Sequence, residues 1–420
     1  MRGKGDFVIR ETGDNAVKGR EIISWALYDF ANTIFSANIV TIYFPLWVTQ
    51  ELGGKDIHYS MVLSASMLAV ALTMPVLGTL SDKWGRRKPL LVLFSVVCAC
   101  STGGLGLWST LSFALCSFAV ANYAYQGGLV FYNALLPAVT GEKTWGRVSG
   151  LGAAFGYLGA ICGVIMVIPF VTGELWRWDI PFLSGGGNAA AFLPTAILFL
   201  IFSLPLFAWV KDDGIPQAKK GEGLWRALIT VKDHPPILRF LLARFLYLDG
   251  INTVIVFMSI YLVNVAGFSG KGEVQAFYVV STIFAIGGGI GWGMVTDRWG
   301  HKRTLSLVLV IFLVATITAA LAPVKSVFWF IGPFIGIALA GIWTCDRPLL
   351  ITLAPPEMYG TFFGVYSFAG KLAAILGPLQ WGVLVQSGAS FGPWRYRIAI
   401  SSLALFFGAG LLILRKIPQR

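Results

Sequence analysis

Six ionisable residues fall inside long apolar runs: the acids Asp29, Asp249 and Asp346, and the bases Arg244, Arg347 and Lys371. A charge in hydrocarbon costs at least a few kcal/mol, so each needs a partner, a water-filled cavity or a solute. Three kinds of work are open to them. A carboxylate can load and release a proton. An Arg fork or a Lys ammonium can hold an anionic group. Opposite charges can close on each other as ion pairs. The histidines, His58, His234 and His301, all lie between apolar runs, which leaves intramembrane proton chemistry to the carboxylates. Two of the acids share a local pattern, Asp29-Phe30-Ala31-Asn32-Thr33 and Asp249-Gly250-Ile251-Asn252-Thr253, 220 residues apart. In each, the Asn follows the Asp by three residues and shares its helix face.

A second constellation lies at the ends of apolar runs. Residues 78–88 read G-T-L-S-D-K-W-G-R-R-K and residues 293–303 read G-M-V-T-D-R-W-G-H-K-R, at an offset of 215. Gly78 and Gly293 allow a neighbouring helix to approach closely. Asp82 and Asp297 can pair with Arg86, Arg87, Lys302 or Arg303 and accept bonds from a helix N-terminus. Such a cluster can latch two helices together; alternatively, it is a topology signal with incidental acids.

These groups must be positioned by membrane helices. The chain has 420 residues, 56% of them hydrophobic and only 12% charged, with a mean hydropathy of +0.74. A soluble domain carries about a quarter charged residues. The shortage excludes soluble enzymes, disordered proteins and nucleic-acid binders, and the net charge of +12 is spread over short clusters rather than one face. About 20 apolar residues cross a bilayer. Twelve runs qualify: 23–48, 60–81, 89–108, 111–136, 148–171, 190–210, 237–264, 275–296, 304–322, 327–352, 361–387 and 396–414. With the N-terminus inside, 23 of the 32 basic residues fall in cytoplasmic segments and six outside, which predicts both termini in the cytoplasm. Residues 1–22 form a polar tail with no cleavable leader pattern. Residues 211–236 read as a cytoplasmic linker between two halves (23–210 and 237–414), and 415–420 as a second tail. In the linker, Leu224, Trp225, Leu228 and Ile229 recur at helical spacing, as in a short surface helix or an ordinary linker. The five cysteines read as packing residues. Trp47, Trp108, Trp176 and Trp178 are expected at membrane interfaces.

The repeats make the chain a duplication of six spans plus six in one orientation. The expected fold is an all-α membrane protein of twelve transmembrane helices in two six-helix pseudo-symmetric bundles. The paired G-x-x-x-D-x-x-G-[RH]-[RK]-[RK] segments resemble the signature loop of the major facilitator superfamily. W-A-L-Y-D-F-A-N-T at 25–33 and F-L-L-A-R-F-L-Y-L-D-G-I-N-T-V at 240–254 resemble the vacuole-effluxer-like branch, whose fungal members are assigned to amino-acid efflux. The resemblance implies a cavity lined by spans 1, 4, 7 and 10. It also implies that the signature loops hold the cytoplasmic face shut.

On that frame the solute- or proton-binding candidates are Asp29 and Asn32 of span 1, Tyr123, Gln126 and Asn133 (with Asn122) of span 4, Asp249 and Asn252 of span 7, Asp346 and Arg347 of span 10, and Lys371 of span 11. For Asp29 and Asp249 a structural ion pair or packing hydrogen bond is the alternative, and for Arg347 and Lys371 it is pairing with Asp346 or another acid. Arg244 is a gate candidate, with Asp29 as a possible partner. Tyr28 and Trp343 are further lining candidates. There is no phosphate-binding loop or catalytic motif, so no enzyme activity, metal or cofactor is expected. The expected function is secondary active transport of a small polar solute, an amino acid or similar zwitterion, by alternating access. Efflux, proton coupling, the cell membrane, membrane lipid as a partner and a monomeric state are expected. A lipid or drug exporter of the same fold is one alternative, and a non-transporting sensor or scaffold is another.

Overall fold

The computed structural model describes residues 5–107, 110–175, 178–179, 186–212, 223–268, 270–322, 324–373 and 376–418. The first six spans rest on α1 (Gly5–Phe35), α2 (Asp56–Trp84), α3 (Lys88–Gly104), α4 (Leu111–Ala134), α5 (Trp145–Thr172) and α6 (Phe192–Trp209). The next six rest on α7 (Pro235–Asn264), α8 (Gly270–Trp299), α9 (His301–Leu321), α10 (Lys325–Leu353), α11 (Tyr359–Leu372) with α12 (Leu376–Ser387), and α13 (Trp394–Arg415). Among the described residues, eleven helical stretches are long and apolar enough to cross a membrane. The twelfth expected span is α4. It has 24 residues, about 36 Å at 1.5 Å per residue, but Asn122, Gln126 and Asn133 make it less apolar than the others.

Three features depart from uniform helices. The polar N-terminal tail is not separate from the first span, because α1 runs unbroken from Gly5. Beyond Phe35 that span widens into π-helix at Ser36–Tyr43 and again at Trp47–Glu51. Pro45 lies between the two stretches and has no N–H to give to the carbonyl one turn back, a register problem that π-turns absorb. The eleventh run is interrupted: α11 ends at Leu372 and α12 restarts at Leu376 with Pro378 in its first turn. A linker helix does form, at Gly223–Lys232, and Ile229 on it is exposed. Residues 213–222 of the linker lie outside the described residues. A two-residue strand pair, Glu174–Leu175 with Trp178–Asp179, joins α5 to α6.

The helices gather into two units. The first holds spans one to six except the Ala71–Thr79 stretch of α2, which groups with spans seven to twelve in the second. Within the first, α1 packs on α5 and α6, and α3 packs on α4 and α6. Within the second, α7 packs on α11, α12 and α13, and α9 packs on α10 and α13. The same pattern recurs at corresponding positions, as the sequence duplication requires.

Glycine makes the closest of these contacts. A Cβ at Gly152 would fall 2.6 Å from the Trp25 ring, one at Gly163 2.8 Å from Ile34, and one at Gly159 would collide with the Phe30 backbone. The α5 face is therefore shaped to the backbone of α1, as small residues allow where lipid gives no hydrophobic drive between helices. Large apolar side chains such as Leu405, Phe330 and Leu379 stand exposed, which suits lipid as the solvent. Trp47 is buried, with its ring edge-on to Phe192 at 4.9 Å. Trp108 and Trp176 lie outside the described residues, and only the backbone of Trp178 is described.

Candidate functional site

In the first unit, Asp29 and Asn32 are buried where α1 meets α5. A Cβ on Gly152 would lie 2.9 Å from Asp29 Oδ2 and 3.2 Å from the Tyr132 hydroxyl. Aromatic rings wall this place: Trp25 stacks on Tyr132 at 4.4 Å and donates its Nε1–H to the Tyr132 carbonyl, and Tyr28 stacks on Tyr132 at 5.0 Å. The Tyr28 hydroxyl meets Ser95 Oγ at 2.6 Å. Both polar atoms of the Asn32 amide are buried without a hydrogen-bond partner among the described residues, an arrangement that costs free energy unless water or a solute fills it. Span 4 contributes Tyr123, its ring 5.9 Å from Phe94. It also brings Asn122, whose amide donates to Ser66 Oγ at 2.7 Å. Gln126 and Asn133 are half-buried on the same helix.

The second unit repeats the Asp–Asn–Thr geometry. Thr33 Oγ1 donates to the Asp29 carbonyl and Thr253 Oγ1 to the Asp249 carbonyl, both at 2.7 Å. Each threonine is pressed by a glycine from the fifth span of its half: Gly156 on Thr33, Gly377 on Thr253. A Cβ at Gly377 would also stand 3.1 Å from Asp249 Oδ2. The halves then differ. Asn252 Nδ2 donates to the Ala373 carbonyl at 3.1 Å, and that carbonyl lies at the break between α11 and α12. Lys371, half-buried, is two residues before it. The interrupted helix thus brings an amide and a buried carboxylate into one neighbourhood, just after a cation in the chain.

Arg244 and Asp346 form a buried ion pair, Nε to Oδ2 at 3.0 Å. Arg244 also donates to the Tyr366 carbonyl at 3.0 Å and lies 3.4 Å from the Tyr366 ring centre. The Tyr247 hydroxyl donates to the second Asp346 oxygen at 2.6 Å. This corrects one expectation: the carboxylate partner of Arg244 is Asp346 rather than Asp29. Arg347 is buried beside it, before the in-helix Pro348. Sequence reasoning missed Trp25, Tyr132, Tyr247 and Tyr366. Tyr247 had a signal, since it follows Arg244 by three residues on one helix face.

The signature loops share a turn glycine and a lysine that reaches the last helix of the half. Asp82 is fully buried and pairs with Arg87, NH2 to Oδ1 at 3.2 Å, while Arg87 NH1 donates to the Ala134 carbonyl at 3.3 Å. Gly85 closes α2 at φ 64°, where a side chain would strain the turn. Gly300, its counterpart, has φ 87°. Lys88 Nζ reaches the Val210 carbonyl past the end of α6 at 2.7 Å. Lys302 Nζ reaches the Arg415 carbonyl at 2.9 Å and also that of Ile417, at the end of α13. In both halves a lysine therefore caps the last helix of the half, a favourable place for a cation. The expected partner of Lys302 was Asp297; its described bonds go to these carbonyls. Arg86 and Arg298 are exposed, Arg303 is exposed on α9, and Gly293 is buried. Gly78 meets the backbone of Gly360, and a Cβ at Gly364 would fall 2.6 Å from the Met74 carbonyl.

This geometry can be set against known proteins. The family profile of the Major Facilitator Superfamily matches residues 30–378. The chain belongs to the Major Facilitator Superfamily. It is therefore a multi-pass membrane transporter and not an enzyme. It is 26% identical over 415 residues to the uncharacterized MFS-type transporter YxiO of Bacillus subtilis (strain 168), covering 94% of each chain. It is 22% identical to autophagy-related protein 22 of Saccharomyces cerevisiae (strain ATCC 204508 / S288c), covering 89% of this chain and 86% of that one. It is also 22% identical to the multi-drug resistance efflux pump PmrA homolog of Lactococcus lactis subsp. lactis (strain IL1403), covering 91% of each. Among solved structures it shares the fold of a bacterial homologue of the iron transporter ferroportin in an outward-facing state. The TM-score is 0.74 at 13% identity, with 96% of this chain and 100% of that one covered.

Proposed function

We propose that this transporter exports a small zwitterionic solute, an amino acid or close analogue, by rocker-switch alternating access, with Asp249 carrying the coupled proton. The observation behind this reading is the neighbourhood of the broken eleventh span. The buried Asp249 and the Asn252 amide tied to the Ala373 carbonyl meet there, and Lys371 lies two residues before that carbonyl in the chain, so this stretch carries one group of each sign and a polar backbone. A zwitterion asks for that set: a cation for its carboxylate, an anion or carbonyl for its ammonium. Discontinuous helices at membrane depth are where carriers bind solutes, because the freed backbone groups need a polar partner. The buried Arg244–Asp346 pair is internally satisfied and acts as structure or gate. The resemblance to the vacuole-effluxer-like branch supports an amino acid and the outward direction. The basic residues support cytoplasmic termini and the cell membrane, with the monomer as the working unit. The repeated signature loops serve as the conformational latch.

A thermal-shift screen against amino acids, organic acids, sugars and amphiphiles tests the solute class, because a ligand of the folded state raises its apparent stability. Amino acids are expected to raise the midpoint. Stabilisation by amphiphiles alone would instead favour a drug or lipid exporter, the reading that the likeness to the efflux pump supports.

A further inference from the structure

A cavity of about 690 Å³ opens in the first unit where α1 enters its span, α3 begins and α6 ends. Arg20, Arg86, Lys88 and Lys211 line it, together with Trp209 and a single carboxylate, Asp212. That carboxylate is turned into the backbone: Asp212 Oδ2 accepts the N–H groups of Arg87 at 2.5 Å and Lys88 at 2.6 Å. Burial raises the Asp212 carboxyl above the ordinary carboxylate range, against the pull of those two bonds. Arg20, Arg86 and Lys211 are exposed. The Arg20 guanidinium lies over the Trp209 ring at 4.9 Å, which fixes a cation and an aromatic plate on one rim.

The depth of this cavity matters as much as its charge. The apolar stretches of all three helices end here: Lys18–Glu51 and Lys88–Leu107 begin at it, and Asn188–Trp209 stops at it. Beyond it along the same helices, Ile23, Leu93 and Leu204 are each more than half exposed, as hydrocarbon-facing side chains are. A Trp at such a level marks the headgroup layer. A dissolved anion would need only the cations; the apolar side chains below the cavity suit an amphiphile.

We propose that this cavity binds the phosphate-bearing headgroup of an anionic phospholipid, with the acyl chains along α1, α3 and α6. The bound headgroup clamps the start of α1 and the end of α6 to the Gly85–Lys88 turn, which also carries the Arg87 partner of Asp82. Basic pockets between membrane helices recognise headgroups in this way, at about 1 kcal/mol per cation.

The test titrates purified full-length protein in detergent with phosphatidylglycerol, phosphatidylcholine and inorganic phosphate, counting bound lipid by native mass spectrometry. The wild-type protein is expected to retain phosphatidylglycerol over phosphatidylcholine and to ignore phosphate at matched concentration. Arg20→Gln/Lys211→Gln should weaken phosphatidylglycerol by about 30-fold while keeping the wild-type melting profile in lipid-free detergent. Lys143→Gln/Arg298→Gln removes two exposed cations elsewhere and should leave it unchanged. Equal retention of phosphatidylcholine, displacement of the lipid by phosphate, or an equal loss in the Lys143/Arg298 variant would each overturn the proposal. If the Arg20/Lys211 variant melts early, single Arg20→Lys and Lys211→Arg variants, which keep the charge, must retain the lipid for the proposal to stand.

Discussion

Arg244 shows what a charge in hydrocarbon requires. Its guanidinium is matched by the Asp346 carboxylate, a backbone carbonyl and an aromatic face, and the carboxylate takes a further proton donor from Tyr247. Arg244→Met leaves the Asp346 charge buried and should cost about 3–5 kcal/mol of stability, read from unfolding in mixed detergent. Adding Asp346→Leu should recover most of that loss, since the pair rather than either residue is what the site tolerates. Tyr247→Phe should cost about 1.5–3 kcal/mol, the range for a hydrogen bond to a charged group. The sequence marks all six intramembrane charges by residue type alone. It does not reveal their pairing, because Arg244 and Asp346 are 102 residues apart and no periodicity spans two helices. Asn32 carries a similar lesson: its shared face with Asp29 is legible, but the absence of a hydrogen-bond partner for its amide emerges only from the packing.

At the scale of the element, the Asp–Asn–Thr repeat is a helix-packing device. Each threonine bonds back to the Asp carbonyl and is held there by a glycine of the fifth span. Gly377→Ala would drive a methyl into the Thr253 hydroxyl and should cost about 1–3 kcal/mol. Thr253→Ala in the same chain should restore part of it, since the hydroxyl is the nearest obstacle and the Asp249 carbonyl at 2.9 Å remains. Melting of the single and double variants checks both statements. Twelve apolar runs could be counted from the residues, with ends off by several positions. The π-helical stretches and the break between α11 and α12 could not, because hydropathy senses side chains and not backbone register. Pro45 and Pro378 were the available signals, since each withholds an N–H from its helix. The signature segments were legible as repeats, but their bonds to the ends of α6 and α13 were not, because a lysine four methylenes long can reach any of several acceptors.

For the molecule as a whole, the shortage of charge states that lipid is the solvent, and the distribution of what charge there is supplies the rest. Most basic residues lie between the apolar runs, and two of them, Lys88 and Lys302, cap the last helix of each half. Six charges stay in the spans. Two of these form a closed pair, and Asp249 and Asn252 meet the broken helix that carries Lys371. Asp249 is therefore the residue on which the proposed proton coupling rests. The direct measurement is accumulation of a radiolabelled amino-acid mixture in proteoliposomes under an imposed pH gradient, with counterflow exchange measured in parallel. The wild-type protein should accumulate label, and Asp249→Asn should lose gradient-driven accumulation while retaining part of the exchange. Undiminished driven accumulation in Asp249→Asn would contradict the account.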